Sequence, residues 1–198
     1  KSFNLEIKKK ISSFKKKIVI DSDKSISIRS FLISSISQNI SSIKNVLESE
    51  DVFSTIECLR KLGVKIKKSG KGNYLVYGKG LGSLHSKKNL ELNFGNSGTL
   101  ARLLIGILAT TPNIELKIKG DHSLNKRNMK KLIFLMSKFG ATFLPRKKYN
   151  LPLKIISSDM PVGINYTAEV SAQLKSAVIL AGLNSYGKTK ISESYKSR

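Results

Sequence analysis

Three helix starts recur along this chain at nearly equal intervals, and that spacing restricts the fold more than any other feature. The stretches opening near Lys24, Ser97 and Ser171 pass from small or hydroxylated residues into apolar helical runs, and they lie 73 and 74 positions apart. Second helices, near Asp51 and Arg127, are offset by 76 positions. With the strand-like runs between them, each unit reads β-α-β-α-β-β. Units of this kind pack around a common core, because one alone cannot bury its apolar face. Carried forward, the first unit's offset puts the third unit's second helix at position 198, the last residue. The spacing therefore predicts a third unit cut short and a chain that is a fragment of a larger protein.

The most informative local stretch is Gly95-Asn96-Ser97-Gly98-Thr99-Leu100-Ala101-Arg102. It follows a strand-like run at 90–94 and leads into an apolar helical run at 103–109. Two glycines permit a tight turn and a close ligand approach. Asn96, Ser97 and Thr99 are each able to cap the helix that follows. A helix N-terminus presents unpaired N–H groups and partial positive charge, which suits a phosphate or carboxylate. A plain strand-turn-helix junction remains the alternative for this stretch alone.

Along the chain, 17–20 reads as a strand. Asp23-Lys24-Ser25-Ile26-Ser27-Ile28-Arg29 then opens a helix whose buried stripe is Ile28, Phe31, Leu32 and Ile36. Lys24 and Arg29 are cations where the helix dipole prefers an anion. Asp51 is a capable N-cap for the second helix, which Gly63 ends, with Cys58 inside it as core filler. Strands are expected at 64–67 and 74–77, with Gly70 and Gly72 turning between them. The strict alternation of 114–119 predicts a half-buried strand. A helix with Leu132, Leu135, Met136 and Phe139 inward follows, with Arg127 in its first turn and Gly140 at its end. Further strands are expected at 141–144, 153–156 and 188–192, and a helix runs from Ser171 to Leu183.

Composition narrows the function. The net charge is +23, from 36 Lys and Arg against 13 Asp and Glu, but the cations are spread over the whole chain. No basic patch is interleaved with aromatics, which make up only 7%. Diffuse charge of this kind favours attraction of small anions over a nucleic-acid partner. No apolar run approaches the roughly 18–20 residues of a membrane span. The N-terminal residues lack the apolar core of a signal peptide, so a cytoplasmic location is expected. Cys58 is the only cysteine, and His85 and His122 stand apart, so neither disulfides nor a metal site are expected. A serine–lysine hydrolase reading of Ser12-Ser13-Phe14-Lys15 lacks companion motifs.

Symmetry-related helix starts point the same way. Three converging N-termini, with Lys24, Arg29 and Arg127 among them, predict an electropositive pocket for a ligand of several negative charges. Four motifs carry a family resemblance: Asp23-Lys24-Ser25-Ile26-Ser27-x-Arg29, Gly95-Asn96-Ser97-Gly98-Thr99-x-x-Arg102, Gly120-Asp121-x-Ser123-Leu124-x-x-Arg127-x-Met129 and Ser171-Ala172-Gln173-x-Lys175-Ser176-Ala177. In order and spacing the chain resembles the 5-enolpyruvylshikimate-3-phosphate synthases, from about residue 10 onward. The sister UDP-N-acetylglucosamine enolpyruvyl transferases differ in carrying Asn after the motif lysine and a reactive loop cysteine. Here Ser25 follows Lys24, and no cysteine lies near Arg127.

The resemblance implies an α/β fold, an inside-out α/β barrel that is one of two such domains. Residues 1–16 would include a strand of the other, missing domain. Residues 17–198 would form the N-terminal substrate-binding domain, in units of about 17–90, 91–165 and a truncated 166–198. The implied reaction transfers the enolpyruvyl group of phosphoenolpyruvate to the 5-hydroxyl of shikimate 3-phosphate, with release of phosphate, no cofactor and no metal. A monomer is implied for the full-length protein. Lys24, Ser25, Arg29, Ser171, Ala172 and Gln173 would hold shikimate 3-phosphate, with Ser197 and Arg198 beginning a further segment. Lys24, Gly98, Arg127 and Gln173 would hold phosphoenolpyruvate, with Asn96 shaping that loop and Lys24 counted as catalytic. Proton-transferring carboxylates would lie in the missing half. Asp21-Ser22 replaces the family's Pro-Gly, Ile28 its His, and Leu103 and Asn128 its prolines; none of these removes a ligand-contacting side chain. A non-catalytic anion-binding module is the alternative for the chain by itself.

Overall fold

The computed structural model describes residues 6, 15, 20–169 and 171–193. The expectations for 2–13, for the strand over 17–19, and for Ser197 and Arg198 lie outside the described residues.

The first helix, α1 (Lys24–Ile36), starts at Asp23, whose carboxylate accepts the Ile26 backbone N–H at 2.6 Å. Ile28, Phe31, Leu32 and Ile36 are its buried stripe, as their spacing predicts. A short strand follows, β1 (Ile40–Ile43), then α2 (Glu50–Lys61). The N-cap of α2 is Ser49 rather than Asp51. Asp51 lies inside the first turn, where a carboxylate still complements the helix dipole and its oxygens remain free to pair elsewhere. Gly63, at a φ of +88°, follows the C-cap Leu62 and ends the helix as expected. The Cys58 thiol is buried, donates to the Asn93 carbonyl at 3.3 Å, and is pushed by burial up to about 12. It is core filler, not a nucleophile. β2 (Lys65–Gly70) and β3 (Asn73–Tyr77) complete an antiparallel sheet of order β1-β3-β2.

The next elements are β4 (Glu91–Asn93), α3 (Gly98–Thr110) and β5 (Glu115–Lys119). After them the sequence predicts one helix with Arg127 in its first turn, but two helices form: α4 (His122–Asn125) and α5 (Lys130–Lys138). Local side chains cause the break. Asp121 caps α4 by accepting from Leu124 N at 2.7 Å, and Asn125 turns back to accept from Gly120 N at 2.9 Å. Asn128 accepts from Lys130 N at 2.8 Å and so starts α5 afresh. Arg127 therefore sits in the connection, outside the dipole of α5. The second helices, α2 and α5, begin at Glu50 and Lys130, 80 positions apart rather than 76 because α4 is inserted. β6 (Thr142–Leu144) and β7 (Leu153–Ile156) close a four-stranded sheet of order β4-β5-β7-β6. β4 and β5 are parallel and the other pairs antiparallel. The order β5-β7-β6 repeats β1-β3-β2. A last group, β8 (Asn165–Ala168), α6 (Ala172–Gly182) and β9 (Lys190–Glu193), repeats the parallel pairing of β4 with β5.

At the centre lies α3, which buries every residue except Arg102. A helix apolar all round must be enclosed all round, and α1, α5 and α6 pack against it. The second turns of α1, α3 and α6 meet: Arg29, Leu103 and Ser176 line one small cavity of about 150 Å³. α3 and α6 run parallel, because Arg102 bonds Gln173, Gly106 meets Ala177 and Asn184 reaches the Thr110 carbonyl in step along the chain; α1 lines the same cavity through Arg29, Leu32 and Ile33. Among the described residues, no helix is long and apolar enough to cross a membrane.

α3 and α6 approach closely at Gly106, where a Cβ would stand 2.6 Å from the carbonyl oxygen of Ala177 on α6. Gly106→Ala gains up to about 1 kcal/mol of helix propensity but must separate two backbones, and overpacking costs roughly 1–3 kcal/mol. Chemical denaturation is expected to show a net destabilisation of about 1–2 kcal/mol.

Candidate functional site

The strand-to-helix turn at 95–102 gathers four of the predicted site residues, Asn96, Gly98, Arg127 and Gln173. Ser97 is the cap of α3, and its hydroxyl accepts the Leu100 N–H at 3.2 Å. The cap of α6 is Ser171, accepting from Leu174 N at 3.4 Å. Neither helix has an acidic residue in its first turn. The N–H groups of their first turns lack intrahelical acceptors and carry the positive end of each dipole.

Gly98, the first residue of α3, is buried between two guanidinium groups. A Cβ built on it would lie 2.8 Å from Arg127 Nη1 and 2.9 Å from Arg102 Nη1. Glycine is what lets both arginines close over the turn. Arg127 reaches back from the α4–α5 connection and donates to Asn96 Oδ1 at 3.3 Å. Arg102 donates to the Gly98 carbonyl at 3.2 Å and to Gln173 Oε1 at 2.8 Å, while Gln173 Nε2 donates to Thr99 Oγ1 at 3.0 Å. Burial pulls the Arg102 pKa below its ordinary value, and the Arg127 charge pulls it further. Two like charges beside one glycine repel each other until an anion comes between them.

Asn96, Gly98, Arg127 and Gln173, predicted from separate motifs, are thus brought together. The α1 residues are placed differently. Lys24 pairs with Asp51 at 2.8 Å, with its side chain half exposed and that of Asp51 mostly covered. Ser25 is half-buried and Arg29 exposed; among the described residues neither bonds to another site residue. Ala172 is exposed at the start of α6. The positive charge expected at the helix starts is unevenly distributed. Asp23 and Asp51 supply carboxylates to α1, whereas two guanidinium groups, those of Arg102 and Arg127, meet at the start of α3. Sequence reasoning missed Asp51 as the partner of Lys24, and Arg102 and Thr99 as the partners of Gln173. The available signal was Arg102 itself, a lone cation within the otherwise apolar run 100–109.

This arrangement can hold a small ligand with more than one negative charge. The Arg127 guanidinium, the Gln173 carboxamide held by Arg102 and free helix N–H groups converge on a single turn. Charge-assisted hydrogen bonds of this kind contribute about 1.5–3 kcal/mol each.

Comparison with known proteins gives the site its family. Residues 8–198 match the family model described as EPSP synthase (3-phosphoshikimate 1-carboxyvinyltransferase). The chain is 40% identical over 190 residues to the 3-phosphoshikimate 1-carboxyvinyltransferase of Bacillus subtilis strain 168, covering 96% of this chain and 44% of that protein. Identity is also 40%, over 193 residues, to the Bacillus velezensis protein of the same name, with the same two coverages. A solved EPSP synthase from Acinetobacter baumannii superposes with a TM-score of 0.83 at 33% identity, over 93% of this chain and 42% of that one. The chain thus spans less than half the length of the relatives it matches. Motif order, a mixed α/β fold shared with solved relatives, and a match over nearly all its residues lead to one conclusion: the chain belongs to the EPSP synthase (3-phosphoshikimate 1-carboxyvinyltransferase) family.

Proposed function

We propose that this chain supplies the shikimate 3-phosphate side, and part of the phosphoenolpyruvate side, of an enolpyruvyl transferase. The observation that carries the reading is the turn at Gly98, pinched between Arg102 and Arg127 and tied to Gln173 on the next parallel helix. In the proposed reaction C3 of phosphoenolpyruvate gains a proton, and the 5-hydroxyl oxygen of shikimate 3-phosphate gives up its proton to a base as it bonds to C2. The resulting tetrahedral intermediate then eliminates inorganic phosphate from C2 and a proton from C3, which restores the C2–C3 double bond, now as an enol ether. The residues of this chain bind and orient. Arg127, Gln173 and the Gly98 turn take phosphoenolpyruvate, with Asn96 steadying Arg127. Ser25, Arg29, Ser171, Ala172 and Gln173 take shikimate 3-phosphate, with Ser197 and Arg198 as a continuation of that subsite. Lys24 exchanges its Asp51 partner for the negative charge shared by the two ligands. The proton-moving groups are proposed to lie on a second domain that closes over this one and expels water. A cytoplasmic monomer, as the family resemblance implies, is part of the proposal.

The test is phosphate release from the two substrates. The chain by itself is expected to release none. Joined to the complementary segment of the Bacillus subtilis relative, it is expected to turn over. A joined protein that folds and binds shikimate 3-phosphate without releasing phosphate would favour a non-catalytic anion-binding module.

Two substitutions probe the subsites in that joined protein. Arg127→Ala removes a charge-assisted contact worth about 1.5–3 kcal/mol, so phosphoenolpyruvate affinity is expected to fall about tenfold or more, with shikimate 3-phosphate affinity little changed. Gly98→Ala pushes both guanidinium groups off the turn. It is expected to weaken inhibition by glyphosate, measured as a rise in the inhibition constant, far more than it weakens shikimate 3-phosphate binding.

A further inference from the structure

Arg102 is the only residue of α3 that is not buried, and the only charged one. Arg102 ends the second of the four sequence motifs but is given no role by them, and in the structure its guanidinium turns toward the start of α6. Nη1 is shared between the Gly98 carbonyl at 3.2 Å and Gln173 Oε1 at 2.8 Å, a contact between residues 71 positions apart. The other end of the same carboxamide is held as well, by donation to Thr99 Oγ1 at 3.0 Å.

The chemistry of the three groups decides what this does. A guanidinium only donates, whereas a threonine hydroxyl both donates and accepts. Thr99 would accommodate the Gln173 amide either way round. Arg102 would not: turning the amide over would set its NH₂ group against the arginine N–H. One orientation is therefore imposed, and it is Arg102 that imposes it. The amide nitrogen carries two hydrogens; Thr99 takes one, and the other is left to donate.

We propose that Arg102 is a positioning residue that locks the Gln173 carboxamide with its NH₂ group presented to shikimate 3-phosphate, one of the two ligands assigned to Gln173 above. The inference rests on the ligand reading given above and adds to it the residue that makes Gln173 a donor. A staple that only joined α3 to α6 would change stability but not affinity. A direct ligand contact would change affinity whether or not Gln173 were present. Action through Gln173 predicts neither.

A double-substitution cycle on this chain separates them. Affinity for shikimate 3-phosphate is measured by calorimetry for the unmodified chain, Arg102→Met, Gln173→Ala and the pair, with a thermal unfolding curve for each. Arg102→Met and Gln173→Ala are each expected to weaken binding about tenfold, and the pair to bind no more weakly than Gln173→Ala alone. If Arg102→Met does not fold, Arg102→Lys runs the same cycle; it keeps the charge but not the fork, and a loss of about threefold is expected that again vanishes without Gln173. Losses that add in the pair, or an Arg102 variant that melts earlier yet binds unchanged, would overturn the inference and leave the ligand reading standing. No binding by the unmodified chain, or no effect of Gln173→Ala, would overturn the ligand reading and the inference with it.

Discussion

Enclosure of α3 is the constraint on which the rest of the structure depends. A helix of 13 residues that buries all but one cannot lie on a surface. It needs partners on every side, and α1, α5 and α6 supply them, with the sheets outside. Close enclosure in turn requires that backbones approach, which Gly106 allows against Ala177. Because α3 and α6 run parallel, burying the middle helix also brings their two N-termini to one side. The proposed anion site is thus a consequence of the way the core is closed.

Charge compensation then distinguishes the three helix starts. At α1 two carboxylates are at hand: Asp23 caps the helix and Asp51 pairs with Lys24. A half-exposed ion pair is worth little, about 0–1 kcal/mol, so it holds Lys24 in place without preventing a ligand from taking it. At α3 and α6 the caps are neutral serines; Arg102 and Arg127 stand at the start of α3, while near the start of α6 Glu169 pairs with Lys131 and Lys175 with Glu193. The gain from an arriving anion is therefore largest at the Gly98 turn. This division suits two anionic ligands, one meeting a site already balanced and the other meeting a site that is not.

Much of this was legible from residue order. The stripes of α1 and α5, the glycine stops at Gly63 and Gly140, and the strand-turn-helix at Gly95 to Arg102 follow from periodicity and backbone freedom. Two strands were not individually legible. Ile40-Ser41-Ser42-Ile43 and Asn165-Tyr166-Thr167-Ala168 lack an apolar alternation, and pairing with neighbours decides their state. The α4–α5 break was hidden because Asp121, Asn125 and Asn128 act through side-chain bonds to nearby backbone, which an apolar pattern does not record. Within the site, Asn96, Gly98, Arg127 and Gln173 were legible as motif members. Their partners were not. Lys24 with Asp51 and Arg102 with Gln173 are pairs made through space, across 27 and 71 positions, and only the fold brings them together.

The N-termini of α3 and α6, with the arginines beside them, are proposed to form a preformed half-site for a phosphorylated ligand. Calorimetric titration of the chain with shikimate 3-phosphate, and separately with shikimate, tests it most directly. Binding of the phosphorylated compound alone is expected, weakening as salt is raised because the contacts are ionic. Equal affinity for both compounds, or no binding by a chain whose circular dichroism shows it folded, would contradict it.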